Sequence, residues 1–232
     1  FVSANPTGPL HIGHGRQAAL GDAISSLLTW TGWDVHREFY YNDGGKQIEL
    51  LARSVYARYL EHLGDEAEIP EGGYHGGYVS EIAQQLVDDV GDKYREGVGE
   101  KELDEIRALA VRTLRAEQDR DLGDFGVFFD EYYLESSLYS EGRVDGTIQA
   151  LKNTGFVYEH EGATWLKTTQ FGDQKDRVMV RSNGLPTYFL PDVAYHLHKW
   201  QRGFPRVINV QGSDHHGTVD RVRGGIQALG LP

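Results

Sequence analysis

Ser3-Ala4-Asn5-Pro6-Thr7-Gly8-Pro9-Leu10-His11-Ile12-Gly13-His14-Gly15-Arg16 joins an apolar start to an apparent helix. Phe1–Ala4 reads as a strand. Pro6, Gly8 and Pro9 make a rigid loop, and two histidines straddle Gly13 where the helix begins. That order suits phosphate chemistry. A helix N-terminus carries unpaired N–H groups and a partial positive charge, so it attracts an anion. Gly13 and Gly15 let the backbone come close to a ligand. His11 and His14 add imidazole donors able to reach phosphate oxygens.

The pattern continues outward from this loop. Ala19, Ala23, Leu27 and Trp30 form one apolar stripe at helical spacing, and Gly32 stops the helix. Trp33–Tyr41 reads as a second strand, and Asn42-Asp43-Gly44-Gly45 as a turn. Ile48, Leu51, Val55, Tyr59 and Leu63 then share a helical face. Strand, helix, strand, helix argues for a parallel α/β sheet. Helical periodicity alone follows, over Val79–Tyr94 and over Glu102–Arg120, where Leu103, Ile106, Ala110 and Leu114 are in register. Residues 64–123 are therefore expected to be a helical insertion between residues 1–63 and 124–232, the two halves of one α/β domain. In the second half, Phe125–Tyr133 reads as strand and residues 137–153 as helix. Phe156–Tyr158 and Ala163–Thr168 read as a hairpin around Glu161-Gly162. Arg177–Arg181 is expected as strand, Pro191–Trp200 as helix and Val207–Val210 as a short strand. The final helix opens at Gly212-Ser213-Asp214, with Ser213 or Asp214 as cap.

The chain has 232 residues, 39% of them hydrophobic and 25% charged, enough for one sizeable soluble domain. It has no cysteine, which excludes disulfides and thiolate metal sites and fits a reducing cytoplasm. No apolar run is long enough to span a bilayer, no signal peptide is evident, and no membrane partner is expected. The net charge is -12. Residues 61–130 hold 19 Asp/Glu against 7 Lys/Arg, and the remainder is balanced, so the whole acidic excess lies in one block. An acidic face repels phosphate backbones and is a poor docking surface for nucleic acid. Opening on Phe1 in the middle of an apparent core strand suggests a piece of a longer protein.

The histidine loop resembles the HIGH signature of class I aminoacyl-tRNA synthetases, and the longer run Ser3–Arg16 is similar to their arginyl family. Three further runs strengthen the resemblance. Arg37-Glu38-Phe39-Tyr40-Tyr41-Asn42-Asp43-Gly44-Gly45-Lys46-Gln47 is similar to the family's second strand and turn. Arg181–His196, reading RSNGLPTYFLPDVAYH, resembles its amino-acid pocket, and Ile208–Gly217, reading INVQGSDHHG, its late nucleotide-binding strand and helix start. Asn183 and Gln211 depart from the family's usual residues. The resemblance implies a Rossmann-like HIGH-type nucleotidyl transferase fold and a two-step reaction, in which arginine is activated by ATP and passed to the 3′-terminal ribose of tRNA(Arg).

By the same resemblance His11 and His14 are catalytic, and they bind ATP together with Gly13, Gly212 and Asp214. Ser3 and Asn5 hold the amino acid's α-groups. Glu135, Tyr188 and Asp192 receive the guanidinium, whose planar fork of donors selects carboxylates. Magnesium is implied as the companion of ATP, with no metal held by the protein itself. The partners implied are L-arginine, ATP and tRNA(Arg), for a monomer in the cytoplasm. The family's lysine-bearing signature loop and helical anticodon-binding domain would follow Pro232, and a domain touching the tRNA elbow would precede Phe1. Without them the chain is expected to have little or no activity alone.

Other roles for these residues stay open. Glu135 and Asp192 could be ordinary surface charges, Asn5 a turn former and Asp214 a helix cap. Asp214-His215-His216 also resembles the metal centre of DHH phosphoesterases, although the upstream Asp motifs that chemistry needs are not seen. His36, His62, His75, His160, His196 and His198 show no second ligand cluster in the sequence. A third reading is a structural or tRNA-binding domain without catalysis.

Overall fold

The computed structural model describes residues 1–231, without the side chain of Asp214. The chain forms two compact units, Val2–Tyr133 and Leu134–Pro232, with Phe1 grouped with the second.

The first unit contains α1 (Ile12–Trp30), β1 (Glu38–Tyr41), α2 (Lys46–His62), α3 (Gly77–Val90) and α4 (Glu100–Asp124), and ends in β2 (Glu131–Leu134), which is paired with β1. Its largest core lies among three helices. Leu51, Val55 and Tyr59 of α2 meet Val79, Ile82 and Leu86 of α3 and Leu103, Ile106, Ala110 and Leu114 of α4. Each of the Leu, Ile and Val side chains contributes about 1.5–3 kcal/mol when taken fully out of water. The apolar faces expected for α2 and α4 are thus the buried ones. Tyr59 also closes the end of α3, donating its hydroxyl to the Gly91 carbonyl at 2.7 Å and accepting the Tyr94 N–H at 3.1 Å. The helices of 64–123 share this core with α2. A second cluster forms around β1, whose alternation buries Phe39 and Tyr41 against Phe129 and Tyr132.

Helix α1 is turned the other way from its expected orientation. Its buried residues are Ala18, Gly21 and Ser25, whereas Leu27 is 68% exposed and Trp30 91%. The residues that are buried carry small side chains, and the larger apolar residues of the expected stripe lie on the exposed face. The first strand also differs. Val2 has φ 58°, outside the extended region, and only one parallel bridge forms, between Ser3 and Tyr40. Trp33, Asp34 and His36 are exposed and Val35 half-buried; all four stay outside β1, so that strand is four residues long. Phe125–Tyr133 likewise yields strand only from Glu131.

The second unit contains α5 (Glu135–Ser140), α6 (Arg143–Lys152), β3 (Val157–His160), β4 (Ala163–Leu166), β5 (Arg177–Val180), α7 (Phe189–Gln201) and α8 (His216–Ala228). The helix expected over 137–153 is broken by Gly142, whose φ is 67°. Strands β3, β4 and β5 make an antiparallel sheet in that order. The hairpin forms as expected, pairing His160 with Ala163 across Glu161 and Gly162. Their φ values of 50° and 74° match the type I′ turn, which suits the twist of the two strands. Val207–Val210 is not a strand: no ladder partner lies beside it among the described residues, and Ile208 is 52% exposed. A 3-10 turn, Ser213–His215, leads into α8, whose N-cap is His215 rather than Ser213. Helices α7 and α8 pack closely at Gly225, where any β-carbon would meet Val193 Cγ2 at 2.5 Å.

Glu161 sits in the left-handed region without a stabilising contact beyond a 4.0 Å approach to exposed His160. Glu161→Asn should therefore raise stability by about 0.5–1 kcal/mol, seen as a higher urea midpoint with unchanged slope. A lower midpoint would contradict the turn assignment.

Candidate active site

The N-terminus of α1 is capped by its own two histidines. His11 is the N-cap, and its Nδ1 accepts the Gly13 N–H at 3.1 Å. The His11 N–H in turn donates to Nδ1 of His14 at 3.3 Å. This reciprocal arrangement is a capping box in which imidazoles replace the usual hydroxyl and carboxylate. It settles the tautomers. An Nδ1 that accepts from the backbone carries no proton, so each neutral ring bears its hydrogen on Nε2, as a donor directed away from the cap. The two rings stack, with centroids 3.8 Å apart and planes 20° from parallel. Burial, and then the neighbouring His11 charge, hold the His14 pKa below its ordinary 6.5. Two stacked imidazolium ions would repel, so the pair resists double protonation.

Gly13 is needed for packing here. A β-carbon at that position would stand 2.9 Å from His11 Cε1 and 3.0 Å from its Nδ1, displacing the capping ring. Gly15 has nothing within 4 Å of the corresponding point, so the structure gives no such steric reason for that glycine. Of the other residues expected near the loop, Asn5 donates its side-chain amide to Gln47 at the start of α2, and Ser3 is exposed beside Tyr40.

In the second unit, Tyr188 is the N-cap of α7 and has helical dihedral angles, so it and Asp192 fall one turn apart on the same face. Glu135 begins α5, which packs against α7. Tyr139 links the three residues. Its phenol pKa is raised by burial and then by the nearby Glu135, Tyr188 and Asp192. Glu135, Tyr188 and Asp192 thus each lie close enough to Tyr139 to act on its phenol, and Tyr139 is not among the residues expected from the sequence. Asp192 is no ordinary surface charge. Burial raises its pKa, outweighing the opposing pull of Arg221, His215 and Lys199. A desolvated carboxylate of this kind gains more from an arriving cation than a hydrated one does.

Asp192 is also braced from behind. His196 Nδ1 donates to the Asp192 carbonyl at 2.7 Å, its Nε2 accepts from the Asn209 amide, and Asn209 Oδ1 accepts from buried Lys199 at 3.1 Å. The Lys199 ammonium lies 3.8 Å from the Tyr195 ring centroid. Residues 207–210 thus anchor α7 through side chains instead of adding a strand. Gly212 caps the 3-10 turn before α8 in extended conformation, and the expected role of Asp214 concerns a side chain outside those described.

Away from these clusters, His36, Glu38 and Glu131 bring donor atoms within 4.8 Å of one another, with His36 Nε2 3.1 Å from Glu131 Oε2. Glu131 comes from β2, far along the chain, so no local pattern marks this group. His36 hydrogen-bonds Glu131 and lies 3.9 Å from Glu38.

Residues 1–221 match the family described as tRNA synthetases class I (R), catalytic domain. The chain is 58% identical to the arginine–tRNA ligase of Cupriavidus taiwanensis and 57% identical to that of Thiobacillus denitrificans, with all of this chain covered in both alignments. It spans about 40% of the length of such relatives. Among solved structures, one assigned as an arginyl-tRNA synthetase from Campylobacter jejuni superposes with a TM-score of 0.90 at 34% identity, covering 99% of this chain and 51% of that one. The Thermus thermophilus arginyl-tRNA synthetase shares the fold at TM-score 0.65 and 21% identity, covering 100% of this chain and 46% of that one. The fold is the Rossmann-like α/β fold of class I synthetase catalytic domains. Within that class, the chain belongs to the arginyl-type catalytic-domain family, which decides against the phosphoesterase reading of Asp214-His215-His216.

The histidine cap can be tested directly. In an NMR titration His14 should show a midpoint below 6.5. His11→Gln should raise it only partway, because burial, the larger cause, remains. The sign for stability follows: the contribution from neutral His14 is present above pH 6.5 and fades as pH falls through the lowered value. A His14 midpoint at or above 6.5 would contradict this geometry. Gly13→Ala should cost about 1 kcal/mol through loss of the cap.

Proposed function

We propose that this chain is the catalytic domain of an arginine–tRNA ligase. It activates L-arginine with ATP to arginyl-adenylate and transfers the arginyl group to the 3′-terminal ribose of tRNA(Arg), in the cytoplasm where tRNA is charged. The observation that carries the reading is the whole-chain similarity to arginine–tRNA ligases. The arrangement of the two histidine nitrogens and the guanidinium-seeking carboxylates agrees with it.

The arginine carboxylate attacks the α-phosphorus of ATP, and pyrophosphate leaves with its magnesium ion. The protein's share is alignment and charge stabilisation. The Nε2–H groups of His11 and His14, with the N-terminal dipole of α1, meet the charge that builds on the phosphate. Keeping His14 neutral preserves its Nδ1 as the acceptor of the His11 N–H, with the hydrogen left on Nε2. Asp192 and Glu135, with the Tyr188 hydroxyl, take the guanidinium. Ser3 and Asn5 take the α-amino and carboxylate groups, and Gly212 and Asp214 the adenosine. A lysine ammonium offers no planar fork and cannot satisfy both carboxylates equally.

The chain should bind arginine more tightly than lysine by calorimetry. Asp192→Asn should weaken arginine by about 10- to 100-fold, the worth of one charged hydrogen bond, and leave ATP within about twofold. Equal losses for both ligands would overturn the pocket assignment. His14→Ala, in the ligase that carries this chain, should lower the rate of arginine activation with little change in arginine affinity.

A further inference from the structure

We propose that Gln118, on α4, is a positioning residue that sets the loop leading to His11 and His14. Its catalytic consequence rests on the ligase reading above; the loop-holding itself does not. Gln118 is 1% exposed, and its Nε2 donates to two backbone carbonyls of the loop, Gly8 at 2.8 Å and Asn5 at 3.1 Å. A carbonyl oxygen only accepts, so the orientation of the amide is forced by its two partners. The loop has few means of holding itself. Pro6 and Pro9 have no N–H, and residues 6 and 7 lie in a turn, with residues 5–10 outside every helix and strand.

The loop is therefore held by side chains. Between the two carbonyls taken by Gln118, that of Thr7 accepts the Tyr78 hydroxyl at 2.8 Å. Gln118 and Tyr78 both come from the helical stretch 64–123. Gln118 keeps its Oε1 buried without a hydrogen-bond partner, a cost that only its two donated bonds offset. Leu10 alone separates Pro9 from His11, so any drift of the Asn5–Gly8 turn moves the N-cap of α1 and both imidazoles with it. The acidic helical stretch, which lacks the charge to hold a phosphate backbone, thereby acts on the site as its mechanical support.

Gln118→Glu tests this at nearly constant volume, because it sets carboxylate oxygens against the two carbonyls. Gln118→Met is the second variant; it keeps the apolar packing and removes both donors. In hydrogen exchange on the chain, the His11 and Gly13 amides, which the two imidazoles hold, should exchange at least tenfold faster in both variants, with the core amides of α2 and α4 within about twofold of the parent. In the ligase carrying this chain, kcat for arginine activation should fall about tenfold or more, as expected for misplaced reacting groups, while KM for ATP stays within about threefold. Unchanged loop exchange in both variants would overturn the proposal. Faster loop exchange with unchanged kcat would overturn the catalytic consequence. A parent ligase that fails to activate arginine would refute the ligase reading, and the exchange result would still decide whether Gln118 holds the loop.

Discussion

The constraint on which the site depends is the pairing requirement of the first N–H groups of α1. A helix leaves them without partners, and they must be satisfied locally or by a ligand. Here His11 and His14 satisfy two donors with their Nδ1 atoms. The consequence is chemical as well as structural. Using Nδ1 for the cap commits Nε2 to carrying the proton, and both rings then present donors from the end of a helix dipole. Ring stacking and partial burial of His14 resist a second positive charge. Gly13 follows from the same geometry, since the His11 ring occupies the space a side chain would need.

The loop before the cap and the carboxylates of the second unit use different means of support. The loop is rich in proline and relies on side chains from α2, α3 and α4, whose packing is the largest core of the first unit. The carboxylate of Asp192 is held by a helix, and that helix is tied to Asn209 through His196 and Lys199. In both cases long, well-packed helices carry the mechanical load, and short irregular segments carry the chemistry. That division agrees with the need to hold reacting groups to within a fraction of an ångström.

Much was legible from the sequence because it was local. The Pro/Gly loop before His11, the faces of α2 and α4, and the two-residue hairpin at Glu161-Gly162 all depend on contacts within a few residues, which periodicity and turn chemistry record. The motifs single out Glu135, Tyr188 and Asp192, and each of the three raises the pKa of the Tyr139 phenol. The stripe on α1 follows the same period yet lies on the exposed face. Period alone locates an apolar face, but it cannot say that Ala18, Gly21 and Ser25 are the residues buried.

The sequence by itself determined the buried faces of α2 and α4, the hairpin at Glu161-Gly162 and the two histidines at the start of α1, since each follows from spacing along the chain. Only the tertiary structure decided which apolar residues of α1 were buried, that Phe1–Ala4 makes a single bridge, and that Val207–Val210 anchors α7 without joining a sheet. It alone brought Glu131 to His36 and Gln118 to the carbonyls of Asn5 and Gly8. Those contacts join residues up to 113 positions apart. Their energy depends on how distant segments are packed, and no short-range pattern of residue types encodes that distance.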